Sequence, residues 1–363
     1  DPSLKKNYDL VIEKPSPTDW VHWQIGKLVP RLTWDKKHDD LYKKFGLSED
    51  KVYVGMQISA ETDAGGQYTI SSTGAVNSGS VLTLFLSGET EDAVTVTISS
   101  GSTMTGVHLY KDRLIVRHET GAMVPGSGVG TVTSTHLAEA DTVGGADITN
   151  IYTMSSNNLT IVNGNMLYIW TGSKLELGGT LSVGTSGATS ALHLDGDLTQ
   201  NDYDLTVYGN YTQSGGTFTG SSSGELIDIN GTFTLSGSTA VFVSTKGTMS
   251  MGPVGGGTST IFSQSVGTFT HNSGTLVFDP SGACISPTKT FTIDVNTSIT
   301  FNDVNSNTST CSGPSVLSVA DGDVVIVAGS LTHSGEQMDG AWQVKDGLII
   351  TADADESAGT ITF

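Results

Sequence analysis

Along most of this chain apolar and polar residues alternate in runs of three to nine, broken by Gly, Ser, Asn and Asp. Alternation of period two places successive side chains on opposite faces of an extended backbone and so predicts half-buried β-strands. Before residue 121 such runs fall at 52–59, 67–71, 80–86, 93–99, 107–110 and 113–118. From residue 144 onward they become short and dense, at 158–162, 166–170, 175–183, 191–194, 205–207, 226–229, 240–244 and 275–278. Beyond Pro280 they continue at 290–294, 298–302, 316–319, 323–328 and 342–344, and again over 347–351 and 359–363. The connections are too short for crossover helices, and no 3.6-residue periodicity fills them.

One phrase recurs within this pattern. It reads Gly209-Asn210-Tyr211-Thr212-Gln213-Ser214-Gly215, then Gly231-Thr232-Phe233-Thr234-Leu235-Ser236-Gly237, then Gly267-Thr268-Phe269-Thr270-His271-Asn272-Ser273-Gly274. A weaker copy starts at Gly329. Imperfect repeats of one strand and turn predict a stack in which each unit buries its apolar face against its neighbours. The expected fold is therefore all-β, a parallel β-helix or solenoid, with an antiparallel β-sandwich as the alternative.

The first 50 residues break the pattern. They hold Trp20, Trp23 and Trp34 of the five Trp, and ten of the 17 Lys and Arg lie at or before Lys51. Ser16-Pro17-Thr18-Asp19 is a helix start, and Trp20, Trp23 and Leu28 make an apolar face before Pro30. A second helix is expected over 35–45, closed by Gly46. The expected organisation is a helical cap or docking segment at 1–50, a β-meander at 51–120 and a Gly/Ser/Pro loop at 121–143. A solenoid at 144–279 and a C-terminal β region at 280–363 complete it.

Composition agrees with strands and turns. Gly numbers 45, Ser plus Thr make up roughly a quarter of the chain, and only 15 % of residues are charged, against about 25 % in an ordinary domain. The net charge of −20 repels nucleic acid and anionic lipid. No apolar run approaches the ~20 residues of a membrane helix, so neither nucleic acid nor membrane insertion is expected. A chain opening at Asp1 reads as already processed from a longer secreted form.

Candidate chemistry is sparse. Gly220-Ser221-Ser222-Ser223-Gly224 has the letters of a nucleophile elbow without the following helix that the motif requires. His271 and His333 occupy equivalent repeat positions and are expected in exposed turns. Asp195/Asp197, Asp321/Asp323 and Asp353/Asp355/Glu356 are turn clusters offering at most weak calcium ligation. No cofactor and no enzymatic activity are expected. Asn158, Asn210, Asn230, Asn296 and Asn307 open N-glycosylation sequons. Aromatic residues are few outside the N-terminal segment, which argues against an extended sugar-stacking platform. Cys284 and Cys311 are expected to form one disulfide, which fits an oxidising, extracellular setting.

Four stretches carry a family resemblance: 112–119 (Asp112-Arg113-Leu114-Ile115-Val116-Arg117-His118-Glu119), 158–161 (Asn158-Leu159-Thr160-Ile161), 167–174 (Leu167-Tyr168-Ile169-Trp170-Thr171-Gly172-Ser173-Lys174) and 268–279 around Phe269-Thr270-His271-Asn272. Over roughly residues 105–335 the chain resembles the β-strand-repeat surface proteins predicted in uncultivated bacterial lineages. The resemblance implies a secreted cell-surface stalk and supplies no catalytic motif. The functional expectation is a structural protein that assembles head to tail with copies of itself. Trp20, Trp23 and Trp34 would anchor one junction; Ile349, Ile361 and Phe363, on strands that invite edge pairing, would anchor the other. The alternative is an adhesin or fibre-tip module binding a surface glycan or protein.

Overall fold

The structure is a computed structural model that describes residues 62–63, 65–70, 76–87, 89–119, 131–133, 137, 146–186, 190–252, 259–279, 289–307, 315–334, 337–350 and 360–362. The helices expected within the first 50 residues lie outside these, as do Trp20, Trp23, Trp34, Cys284, Cys311 and Phe363. The chain divides after Ala75 into two compact units, and the second, Val76–Phe363, carries the described strands.

That unit is a parallel β-solenoid. The chain lays one strand on each of three faces, turns, and begins again one level higher. Met166–Ile169, Lys174–Glu176 and Leu181–Val183 make one such coil, followed by Ala191–Leu194, Asp197–Thr199 and Leu205–Val207, then Tyr211–Gln213, Thr217–Thr219 and Ile227–Ile229. Every strand pairs in parallel with its counterpart in the next coil, as Leu192 with Tyr211 on the first face and Leu205 with Ile227 on the third. The first face becomes an 11-stranded sheet and the third a 10-stranded one. The second face is divided into sheets of six and four strands, the break falling between Thr268–Thr270 and Ser298–Phe301. Among the described residues antiparallel pairing occurs only near the start, between Val81–Phe85 and Val94–Ile98 and between Tyr152–Ser155 and Asn158–Ile161. Among the same residues helix is limited to the turn Ala146–Thr149 and to Leu137.

Period-two alternation produces this interior directly. In Leu205–Val207, Tyr211–Gln213 and Ile227–Ile229 the two outer residues are buried and the middle one is half-buried. In-register stacking then turns each inward position into a row. On the third face Leu181, Leu205, Ile227, Met249, Leu276, Val304 and Leu331 lie one above another. Inward rings, three of them from Thr-Phe-Thr (Phe218, Phe233 and Phe269), make two aromatic rows. Tyr211, Phe233 and Phe262 stack on the first face, with centroids 5.1 and 4.8 Å apart; Phe218, Phe242 and Phe269 stack on the second, 4.6 and 5.5 Å apart. Strands in a sheet are ~4.8 Å apart, so identical residues on successive coils stack without adjusting the backbone. The two rows meet edge to face, as between Phe233 and Phe242 at 4.8 Å, the arrangement that the ring quadrupole favours. Each buried ring adds about 2 to 3 kcal/mol of apolar transfer energy.

The turns explain the glycines. Gly216 has φ +57°, and a Cβ there would lie 1.9 Å from the Gly196 carbonyl oxygen of the coil below; at Gly237 it would lie 1.7 Å from Ser214 O. Corners this close leave no room for a side chain.

Several local expectations change. Val107–Tyr110 is not a strand; it belongs to an irregular strap over 103–110. Lys111-Asp112 does turn, with Asp112 at φ 56°, but it delivers the strap to Arg113–Val116, which pairs in parallel with Val94–Ile98 and with Met166–Ile169. The strands at 94–98 and 113–116 therefore share one sheet with the coils.

Candidate functional site

Outward side chains on the first face fall in columns. Ile115, Tyr168, His193 and Thr212 are in register. Arg117, Trp170, Asp195 and Ser214 each follow the last residue of their strand. Over the earliest of these coils lies the strap. Thr95 Oγ1 donates to His108 O at 2.6 Å, and the Arg117 guanidinium donates to the Gly106 and Thr105 carbonyls. Glu119 pairs with Arg117 and accepts from Thr97 Oγ1 at 2.9 Å. The strap thereby buries Thr95, Thr97 and Ile115, which alternation aims outward.

Where the strap stops, the face steps down by one layer. His108 and Tyr110 form the step, stacked 5.6 Å apart and nearly parallel, with the Arg113 guanidinium 5.3 Å from the Tyr110 centroid. His108 meets Trp170 at 5.4 Å, Trp170 meets Tyr168 at 5.4 Å, and Tyr168 meets His193 edge-on at 4.9 Å. Five rings, drawn from the strap and two successive coils, thus form one continuous run. Asp195 fixes its far end: Oδ2 accepts the Tyr168 hydroxyl at 2.5 Å, and Oδ1 accepts the Ser214 hydroxyl. His193 Nε2 lies 3.1 Å from Ser214 Oγ and 3.2 Å from Asp195 Oδ1.

Burial works to raise the Asp195 carboxyl, but hydrogen bonds from Ser214 and Tyr168 and the nearby His193 outweigh it and hold the group below the usual carboxylate range. Burial, then the Asp195 contact, pushes the Tyr168 hydroxyl well above an ordinary tyrosine. Ser, His and Asp here do not form a nucleophilic relay. A relay needs one imidazole nitrogen on the serine and the other on the acid, whereas Nε2 faces both and Ser214 already donates to Asp195. What the cluster provides is a preset array of rings, one carboxylate and one guanidinium.

The sequence-predicted sites are distributed elsewhere. Asn158 and Asn210 are exposed, and their side-chain oxygens accept the backbone N–H of Thr180 and Thr232 in the following coil. Asn230 Nδ2, the atom to which a glycan would attach, donates to Asp228 at 3.0 Å. Asn296 is exposed at a turn, and Asn307 ends the strand Asp303–Asn307. Ile349 lies opposite Thr332, and Ile361 opposite Trp342. Asp197 and Asp323 serve as coil-to-coil staples, accepting from Thr217 N and from Val295 and Thr297 N. Among the described residues no group of three or more His, Cys, Asp or Glu could hold a metal ion, and Asp353, Asp355 and Glu356 lie outside them.

The expectation of exposed histidines is corrected. His333 is 1 % exposed within Ser330–Ser334, aligned with buried Ser306, because its position in the coil points inward. His271 is half-buried beside a cavity of about 10 Å³, too small for more than a water. Five rings make the run at the step, while Tyr203 is exposed outside it. Ser221, in the elbow-like phrase, is buried and bonded to Glu225, and no helix follows it. Comparison with protein-family models, with curated proteins and with solved structures finds no match for this chain.

Proposed function

We propose that this chain is a secreted structural protein whose coils continue from subunit to subunit, forming an extracellular filament, sheath or surface layer. The observation that carries this reading is how the pairing changes along the stack. At its start, antiparallel strands interrupt the coil geometry. Further along, the last described strands of three sheets, Gln337–Asp339, Gly347–Ile350 and Thr360–Thr362, still pair in parallel with the coil before them. A parallel edge of this kind is a template for another chain. Contact between unlike ends is heterologous and propagates unless it closes. Ile349, Ile361 and Phe363 are assigned to this junction, and Trp20, Trp23 and Trp34 to the opposite one. A Cys284–Cys311 disulfide and a cell-surface location belong to the same reading.

Negative-stain electron microscopy at micromolar concentration tests it. Long uniform fibres are expected from the whole chain, and a folded monomer that does not polymerise from a chain lacking residues 1–30. Fibres of equal length from the shortened chain would overturn the junction. A second reading, an adhesin that binds a surface glycan, is favoured by the ring-lined step on the first face.

A further inference from the structure

We infer that the step at the edge of the strap is a binding ledge for a neutral saccharide, with Tyr110 and His108 as its wall and Tyr168, His193 and Asp195 as its floor. This rests on the adhesin reading and does not require assembly.

Shape comes first. The strap stands one layer above a rigid parallel sheet, so the ledge is an open step and not a cleft. A ligand there meets the protein on one side and along one wall, as the end or edge of a surface polymer would. The wall is accessible: Tyr110 is 40 % exposed and His108 is exposed. On the floor, the His193 and Asp195 side chains keep 29 % and 25 % of their surface.

The chemistry selects the ligand. A sugar ring presents an apolar C–H face beside a fringe of hydroxyls that both donate and accept. The ledge presents ring surface from Tyr110, His108 and Tyr168, and Tyr168 itself adjoins the Asp195 carboxylate and the His193 imidazole. Rings carry stacking area with little rotamer entropy to lose. Asp195 is already oriented by Tyr168 and Ser214, so its remaining acceptor directions need no reorganisation on binding.

Charge narrows the class to neutral sugars. Around the step the charges are compensated, Lys111 by Glu91 at 2.9 Å and Arg117 by Glu119. Arg113 keeps its charge over the Tyr110 ring, and with Asp195 on the floor it leaves the step without a net positive charge, while the chain as a whole carries −20. An acidic polysaccharide would meet Asp195 on the floor and a repelling field around it. A neutral one meets Asp195 as a hydrogen-bond acceptor and is not repelled by the field.

The test is a glycan array carrying neutral and uronic-acid-bearing oligosaccharides, probed with the whole chain and with Asp195→Asn, His193→Ala and Tyr110→Ala. Far-UV circular dichroism melting of each variant verifies the fold. Saturable binding to neutral glycans is expected, weakened tenfold or more by each substitution while the melting curves stay cooperative. The Tyr110→Ala change lies on the strap and outside the sheet, so it keeps the test open if the other two unfold. Neutral-glycan binding that none of the folded variants alters would overturn the ledge while leaving an adhesin in place. Preference for the uronic-acid set would overturn the ligand class. No binding to any glycan would remove both the ledge and the adhesin reading.

Discussion

The side-chain oxygen of Asn158 accepts the backbone N–H of Thr180 at 2.9 Å, one coil further along. Asn210 and Thr232 repeat the contact at 3.0 Å, and Asp204 and Leu226 repeat it at 2.8 Å. These corner residues satisfy N–H groups at turns, outside the strand cores, and bind each coil to its neighbour. Asn210→Ala is expected to lower stability by about 0.5 to 1.5 kcal/mol, the usual net value of one hydrogen bond. Asn210→Asp retains the accepting oxygen and should lose less. Urea unfolding of the three chains measures the difference, and equal losses from Ala and Asp would refute the staple.

Gln213 is fully buried in a row whose neighbours above and below are Leu194 and Leu235. Its Nε2 donates to the carbonyls of Gly215, Gly216 and Val241, and its Oε1 accepts the Tyr211 hydroxyl at 3.0 Å. Leucine fits the row but leaves those partners buried and unpaired. Gln213→Leu should therefore destabilise by about 1 to 3 kcal/mol. Adding Tyr211→Phe removes one orphaned hydroxyl, so the double variant should lose less than the sum of the singles. Strict additivity in a double-mutant cycle would exclude the coupling.

Phe242 lies at the centre of the aromatic core, between Phe218 at 4.6 Å and Phe269 at 5.5 Å in its own row and edge-on to Phe233. Phe242→Ala should lower stability by about 3 to 5 kcal/mol, since a stacked coil cannot collapse to fill the void. Phe242→Leu should lose substantially less. Thermal melts followed by circular dichroism would decide it, and similar losses for Ala and Leu would count against a cavity cost.

Burial raises the Asp228 carboxyl above its ordinary value, the Asp279 charge adds to this, and the Asn230 hydrogen bond opposes it. A raised folded-state pKa means that the ionised group destabilises the fold. The penalty is fully present above the folded pKa and is relieved as pH falls toward the unfolded value near ~3.9. Asp228→Asn should accordingly be more stable than the parent chain at pH 7 and indistinguishable from it in acid. Stability measured across pH 3 to 8 tests this, and an advantage that persists unchanged below pH 4 would point to another cause.

Much of the fold was legible because one physical rule acts at every coil. Strands at 158–161, 166–169, 191–194 and 205–207 fall where the alternation placed them, and Phe233 and Phe269 point inward from the same place in their repeated phrase. His333 was misplaced because its phrase at Gly329 copies the one at Gly267 in letters only. The strand there runs on through Ser330–Ser334, while its counterpart ends at Thr270 and leaves His271 in a turn. Identical residues therefore met different surroundings.

The candidate site was not legible, for a different reason. His108, Tyr110, Tyr168, Trp170 and His193 come from a strap and two coils, and no local pattern marks them as neighbours. Taken along the sequence they are a thin scatter of rings. What the sequence by itself determined is the class of fold: period-two alternation and repeated turns commit each short segment to a strand with a defined inner face, and that information is local. What only the tertiary structure decided is which outward residues share a column and which are covered. Coil length sets the register between levels, and the Arg117 and Thr95 contacts fix where the strap lies. Both are long-range, and both decide the neighbours of Asp195.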